Sequence, residues 1–209
     1  MRQILIIFSL ACFIHHAFAA IELKNNGYEN LQVSIHPDVS ANTEEAARQI
    51  IEGIKHFIGD GSQTLYYATE GLAFIRSVNI LLPSQWNYDV TEFTDEYFYE
   101  DGLIRVDNPN PLYQDSPYTS QLGGCGSLGE YMHLTPNYLT HINQESDITF
   151  GPHDNIFVHE WAKLRYMFLL FCGKIFFVIV INELGMVYLK NMDIQEISNI
   201  PYSIGKKNL

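Results

Sequence analysis

The residues with the plainest chemistry lie late in the chain, in His159-Glu160-Trp161-Ala162-Lys163. In an α-helix, residues four apart share one face. A His-Glu-Xaa-Xaa-His segment therefore offers two imidazoles to one Zn²⁺. Its glutamate projects beside the open coordination position and takes a proton from metal-bound water. Here the first histidine and the glutamate are in place, and Lys163 stands where the second imidazole would be. A lysine of ordinary pKa, about 10.4, is protonated at neutral pH and repels Zn²⁺. His159 then reads as a vestigial zinc ligand, Glu160 as a vestigial general base, and Lys163 as the replacement of the second ligand. Zinc, the metal such a motif serves, is expected not to be bound. An active zinc endopeptidase is the competing reading, and it needs its missing ligands from elsewhere. His133, His141 and His153 are the substitutes that composition offers, although loop histidines are as a rule exposed polar residues.

Other candidate constellations are less specific. Glu92, Asp95, Glu96, Glu100 and Asp101 could gather a calcium ion. They lack the Asp-Xaa-Asp-Xaa-Asp-Gly spacing of a calcium loop and read as a solvated acidic face. Gln121 to Gly129 holds four glycines around Cys125 without the GxxxxGK[ST] order of a phosphate cradle. The net charge of −12 sets the surface against nucleic-acid phosphates and anionic membranes, and makes cations the natural company.

The elements that would position the motif can be read from periodicity. Leu31, Val33 and Ile35 alternate with Gln32 and Ser34, which predicts a half-buried strand stopped at Pro37. Ser40, Asn42 and Thr43 offer N-cap oxygens for a helix whose apolar face is Ala47, Ile50, Ile51, Ile54, Phe57 and Ile58. Gly59 and Gly61 are expected to end that helix. Phe74 to Leu82 reads as one largely buried strand, Leu103 to Val106 as a short one, and Asp107 to Pro117, with three prolines, as a loop. From about Asn155 the chain turns helical and carries the motif. Strand, helix, strand, short strand and late helix predict an α/β or α+β domain with a mixed sheet.

The first nineteen residues read as a signal peptide: Arg2, an apolar run from Ile4 to Ile14, and Ala17-Phe18-Ala19 as the cleavage signal. The expected route is the secretory pathway, to the cell surface or beyond. Cys12 leaves with the signal, and Cys125 and Cys172 remain as disulfide candidates whose pairing the sequence does not fix.

Around the motif the chain resembles a known family, the calcium-activated chloride channel regulators. These carry His-Glu-Trp-Ala-His followed by Leu-Arg-Trp or Leu-Arg-Tyr, and this chain has His159-Glu160-Trp161-Ala162, then Leu164-Arg165-Tyr166. Pro117-Tyr118-Thr119-Ser120-Gln121, Cys125-Gly126 and Tyr131-Met132-His133-Leu134-Thr135-Pro136 look like further family blocks. Ile80-Leu81-Leu82-Pro83 with Trp86, and Asn26-Gly27-Tyr28, fit as well. The resemblance covers roughly Ile21 to Tyr166. It implies a zincin-like domain associated with self-cleavage, a von Willebrand factor A domain further along, and a partner that is a calcium-activated chloride channel modulated at the cell surface. The family continues with Gly-Val-Phe-Asp-Glu, whose acidic residues include a third ligand. This chain runs Met167-Phe168-Leu169-Leu170-Phe171 instead.

The expected division is therefore 1–19 signal peptide, 20–166 regulator N-terminal domain and 167–209 divergent apolar tail. Met167 to Ile181 admits three readings: a core element, the product of a truncated or incorrectly spliced gene, or a membrane anchor for a small interaction protein. Its length falls short of the roughly 20 residues of a span, and a central lysine costs about 2.5–3.5 kcal/mol on insertion scales. The leading expectation is a truncated, catalytically impaired regulator that acts by binding. The signal reading predicts a mature chain starting at Ala20. N-terminal sequencing of the product from a eukaryotic secretory host reads this directly, and a retained Met1 would remove the secretory assignment.

Overall fold

Leu31, Val33 and Ile35 lie at the centre of a six-stranded sheet and are at most 2% exposed. The computed structural model describes residues 21, 23–90, 97–123, 128–165 and 200–206. The signal segment, Glu92, Asp95, Glu96, Cys125, Cys172 and the apolar run 167–181 lie outside these residues.

Two short strands come first, β1 (Leu23–Lys24) and β2 (Gly27–Tyr28), followed by β3 (Leu31–Ile35), α1 (Glu44–Ala68), β4 (Phe74–Ile75) and β5 (Val78–Leu82). A 3-10 turn (Tyr99–Asp101) leads to β6 (Ile104–Val106), β7 (Tyr118–Ser120) and β8 (Tyr131–Leu134). Then come α2 (Pro136–Thr140), α3 (Glu145–Phe150), α4 (His153–Arg165) and β9 (Tyr202–Lys206). The large sheet has the order β7-β8-β6-β3-β5-β9, and β1-β2-β4 form a small second sheet. Only β7 is antiparallel to its neighbour in the large sheet; the other pairings there are parallel. The α/β class and mixed sheet expected from the sequence are present.

Register explains the core. Val33 pairs with Ile80 and Ile104, and Ile104 with Met132, so one sheet face is continuously apolar. These residues share one buried cluster with Ile51, Ile54 and Phe57 of α1 and Phe157 and Trp161 of α4. On the opposite face Ser34, Arg105 and His133 line up in one row. Here the expectation of a half-buried β3 is corrected: Gln32 and Ser34 are buried too, because a central strand of a parallel sheet is covered on both sides. Gly102 is packed so tightly over Ser34 that a Cβ there would come within 2.7 Å of its Oγ.

Two further expectations change. α1 starts as expected, with the Thr43 hydroxyl accepting from the Ala46 amide, but it runs through Gly59 and Gly61 to Ala68. The helix ends at Thr69, whose hydroxyl donates to the Leu65 carbonyl, followed by a turn through Glu70 and Gly71 at positive φ. Gly61 is a point of contact: a Cβ there would lie 2.2 Å from Cγ of Phe157. The single strand expected over Phe74–Leu82 is divided at Arg76-Ser77, where both amides turn to the Tyr28 carbonyl, so that β4 joins the small sheet and β5 the large one. On the other side of the large sheet, Tyr202–Lys206 form an edge strand. β9 runs parallel to β5, and Ile200 before it is buried. No helix among the described residues is long and apolar enough to cross a membrane.

Two glycines of α1 should respond oppositely to alanine. Gly61→Ala drives a methyl into Phe157, and overpacking of this kind costs about 1–3 kcal/mol. At Gly59 the nearest atom to a new Cβ is the Tyr202 hydroxyl at 3.8 Å, an ordinary contact. Gly59→Ala should therefore gain the helix-propensity difference of about 0.5–1 kcal/mol. Urea unfolding of both variants checks the contrast in sign.

Candidate functional site

α4 is held at two points by the antiparallel edge of the large sheet. The Thr119 hydroxyl of β7 donates to the Glu160 carbonyl over 2.9 Å, and the Gly129 amide donates to the Lys163 carbonyl over 2.9 Å. Trp161 faces inward and is fully buried, stacked on Phe157 at 5.5 Å and edge-on to Tyr28 at 5.1 Å. Arg165 continues this seam, donating to the Ile21 carbonyl and lying over the Tyr28 ring. Segments far apart in sequence thus converge on the motif helix.

With Trp161 turned to the core, the Glu160 carboxylate is also buried, at 4% exposure. Its Oε1 accepts from the Lys163 ammonium over 2.8 Å and from His159 Nδ1 over 3.0 Å. Burial works against its charge, but His159 and the Lys163 ammonium outweigh it and hold the carboxyl below its ordinary range. Its second oxygen, Oε2, is buried with no donor among the described residues. The side chains face a cleft of about 590 Å³ whose walls include Thr64, Ser116, Phe150 and Ile156.

The structure brings His159, Glu160 and Lys163 together, but as an ion-pair cluster. A metal on this face would need a second and third donor, and the fifth motif position holds a cation already bonded to the glutamate. No group of three histidine, cysteine or acidic side chains suited to a metal occurs among the described residues. The described residues around His159 do not fit zinc.

The other histidines are placed elsewhere. His133 on β8 is 5% exposed and stacked on Tyr118 at 4.7 Å, and burial pushes its pKa down. His141 caps the end of α2, its Nδ1 2.8 Å from the Asn137 carbonyl. His153 is 5% exposed at the start of α4, with Nδ1 2.9 Å from Asp147 and Nε2 2.9 Å from Asp60. Two of the three are therefore buried, against the expectation of exposed loop residues, because each lies on a regular element packed in the domain. Asp101 accepts from the Phe98 amide within its own turn, and both Glu100 and Asp101 are exposed. Sequence reasoning missed the trio of Asp60, Asp147 and His153; its partners are up to 93 residues apart and form no local pattern.

A family profile described as "Calcium-activated chloride channel N terminal" matches residues 21–170. The chain belongs to the calcium-activated chloride channel regulator family. Human calcium-activated chloride channel regulator 2 is 35% identical over 148 residues, which is 71% of this chain and 15% of that protein. Mouse regulator 3A-1 is 32% identical over 170 residues, 78% of this chain and 17% of the relative. Bovine regulator 1 is 34% identical over 148 residues, 70% of this chain and 15% of the relative. The chain thus spans about a sixth of the length of these relatives. No solved structure matches it.

In this regulator domain the Lys163 ammonium is the main counter-charge of a buried carboxylate. Lys163→Met should destabilise the fold at pH 7 by about 1–3 kcal/mol, less than a fully buried broken pair because His159 remains. The sign with pH follows from the lowered Glu160 pKa: its contribution is present above the unfolded value and is lost as pH falls through the folded one. The gap between variant and parent should therefore narrow on acidification. Thermal unfolding at pH 7 and pH 4 measures it.

Proposed function

We propose that this chain is a channel regulator of the calcium-activated chloride channel type whose zinc-protease-like, zincin-type domain works by binding and not by hydrolysis. The observation that carries this reading is the contact between Lys163 Nζ and Glu160 Oε1 at 2.8 Å. Peptide hydrolysis of the metal-water kind needs a positively charged metal beside a carboxylate that is free to accept a proton. Here the carboxylate already accepts from an ammonium and an imidazole, and the ammonium stands at a ligand position. The cleft remains and is mainly apolar, with a charged cluster at one wall, which suits holding a polypeptide segment of a partner. The names of the relatives point to a calcium-activated chloride channel as the protein regulated. We place the regulator at the cell surface or in the secretory pathway on the strength of its N-terminal signal.

The full chain should carry far less than one zinc per molecule by inductively coupled plasma mass spectrometry, and Glu160→Gln should leave any peptidase signal unchanged. Lys163→His should raise zinc affinity by removing the competing cation, yet restore little cleavage while a third ligand is wanting. One tightly held zinc in the parent chain, with cleavage abolished by Glu160→Gln, would replace the binding reading with an endopeptidase.

A further inference from the structure

The trio at the start of α4 lies away from the Glu160 cluster. His153 projects between two carboxylates from different elements: Asp147 on α3 and Asp60 on α1, each 2.9 Å from one ring nitrogen. A neutral imidazole donates through one nitrogen only and would turn a lone pair on the other carboxylate. Only the imidazolium satisfies both.

α3 is lightly held: apart from Phe150, whose ring packs against the core 5.9 Å from that of Tyr138, little of it is covered. Its single buried residue is Ser146, which donates to the Tyr138 carbonyl. Its N-cap makes no side-chain hydrogen bond, and Ile148 on its outer side is 86% exposed. It is bounded by two backbone positions at positive φ, Asn143 before it and Gly151 after it, and nothing lies within 4 Å of a Cβ built on Gly151. Phe150, Gly151 and Pro152 at its end form a wall of the cleft beside His159 and Glu160. The short helix is thus a wall segment held to Tyr138 by Ser146 and Phe150, and to α1 and α4 through His153.

We propose that His153 is a proton-operated latch: as an imidazolium it holds α3 against α1 and α4, and on losing its proton it frees α3 to pivot about Gly151 and widen the cleft. The groups facing it make the proton matter. From α1 comes Asp60, and one turn on Thr64 holds Asp154 of α4 over 2.8 Å. From α3 comes Asp147, whose Oδ1 is buried without a partner, and from α2 comes the buried Tyr138, which feels both Asp147 and Asp154. These neighbours are acidic or neutral. Burial disfavours the charged ring, but the hydrogen bonds and charges of Asp147 and Asp60 outweigh it and raise the pKa of His153 above its ordinary value. A raised pKa gives a stabilisation that is complete below the unfolded value near 6.5 and is lost as pH rises through the folded one. The latch therefore closes in mildly acidic solution and opens on the alkaline side.

Hydrogen exchange of the full chain, followed by mass spectrometry from pH 5.5 to 8.5 and corrected for intrinsic exchange, tests the latch. Protection of amides 145–151 should fall at least about tenfold as His153 deprotonates, the ratio expected for one lost charge-assisted hydrogen bond. Protection of α1 should stay constant. In Asp147→Asn the α3 amides should be poorly protected at every pH, and the His153 proton resonance should titrate at a lower pH than in the parent. Asp60→Asn serves as the second variant if the first does not fold. Protection of 145–151 that stays flat across the titration, or that is lost together with α1, would overturn the latch.

Discussion

A carboxylate at 4% exposure must either give up its charge or be matched by nearby donors, and most of what surrounds Glu160 follows from that requirement. In a zinc-protease helix, the metal and its bound water supply the positive field. Here Lys163, one helical turn on, supplies it directly, and His159 adds a second donor to the same oxygen. The residue at the fifth motif position thus provides the counter-charge of the buried carboxylate from within the same helix. Both donors converge on Oε1, so the charge of Glu160 is matched on that oxygen, while Oε2 has no donor among the described residues.

The position of that ion pair is set by packing on the far side of α4. Gly61 lets Phe157 approach α1 to a distance that no side chain would allow, and Phe157 then stacks with Trp161. With Trp161 fixed inward against Tyr28, residues 159, 160 and 163 can only point along the edge of β7 and into the cleft. Thr119 locks the rotation through the Glu160 carbonyl. Bulk at position 61 would therefore be felt at Glu160 through two aromatic rings, although the two residues do not touch.

Much of this was legible before any coordinates. The α/β class, the N-cap at Thr43 and the short strand ending at Val106 came from periodicity and capping alone. Where the reading went astray, a tertiary contact had overridden a local rule. Gly59 and Gly61 are helix terminators by propensity, yet α1 needs Gly61 for the approach of Phe157 and so continues. Alternation in β3 suggests one wet face, but Gln32 and Ser34 are buried beneath the segment around Gly102 and Leu103, whose amide donates to the Gln32 carbonyl. Nothing local in Tyr202–Lys206 announces a strand; β5 offered an unpaired parallel edge, and only the assembled sheet shows it.

His133 and His153 show how far residue type alone can carry such a reading. Both are 5% exposed, and both sit in regular structure. Burial without a carboxylate contact leaves His133 stacked on Tyr118 and shifted toward the neutral ring. Burial between Asp60 and Asp147 shifts His153 the other way. The second case works against a further cost, because an imidazolium at the first residue of α4 meets the positive end of the helix dipole. Lys163 and Arg165, in the last turn, stand where the dipole welcomes them. An imidazolium at that end is favoured only because carboxylates converge on it from two other helices, in a chain whose net charge of −12 leaves acidic groups in excess. Lys163 and His153 thus answer the same surplus from opposite ends of α4: Lys163 by matching one buried carboxylate within its own helix, His153 by joining two carboxylates that the fold alone brings together.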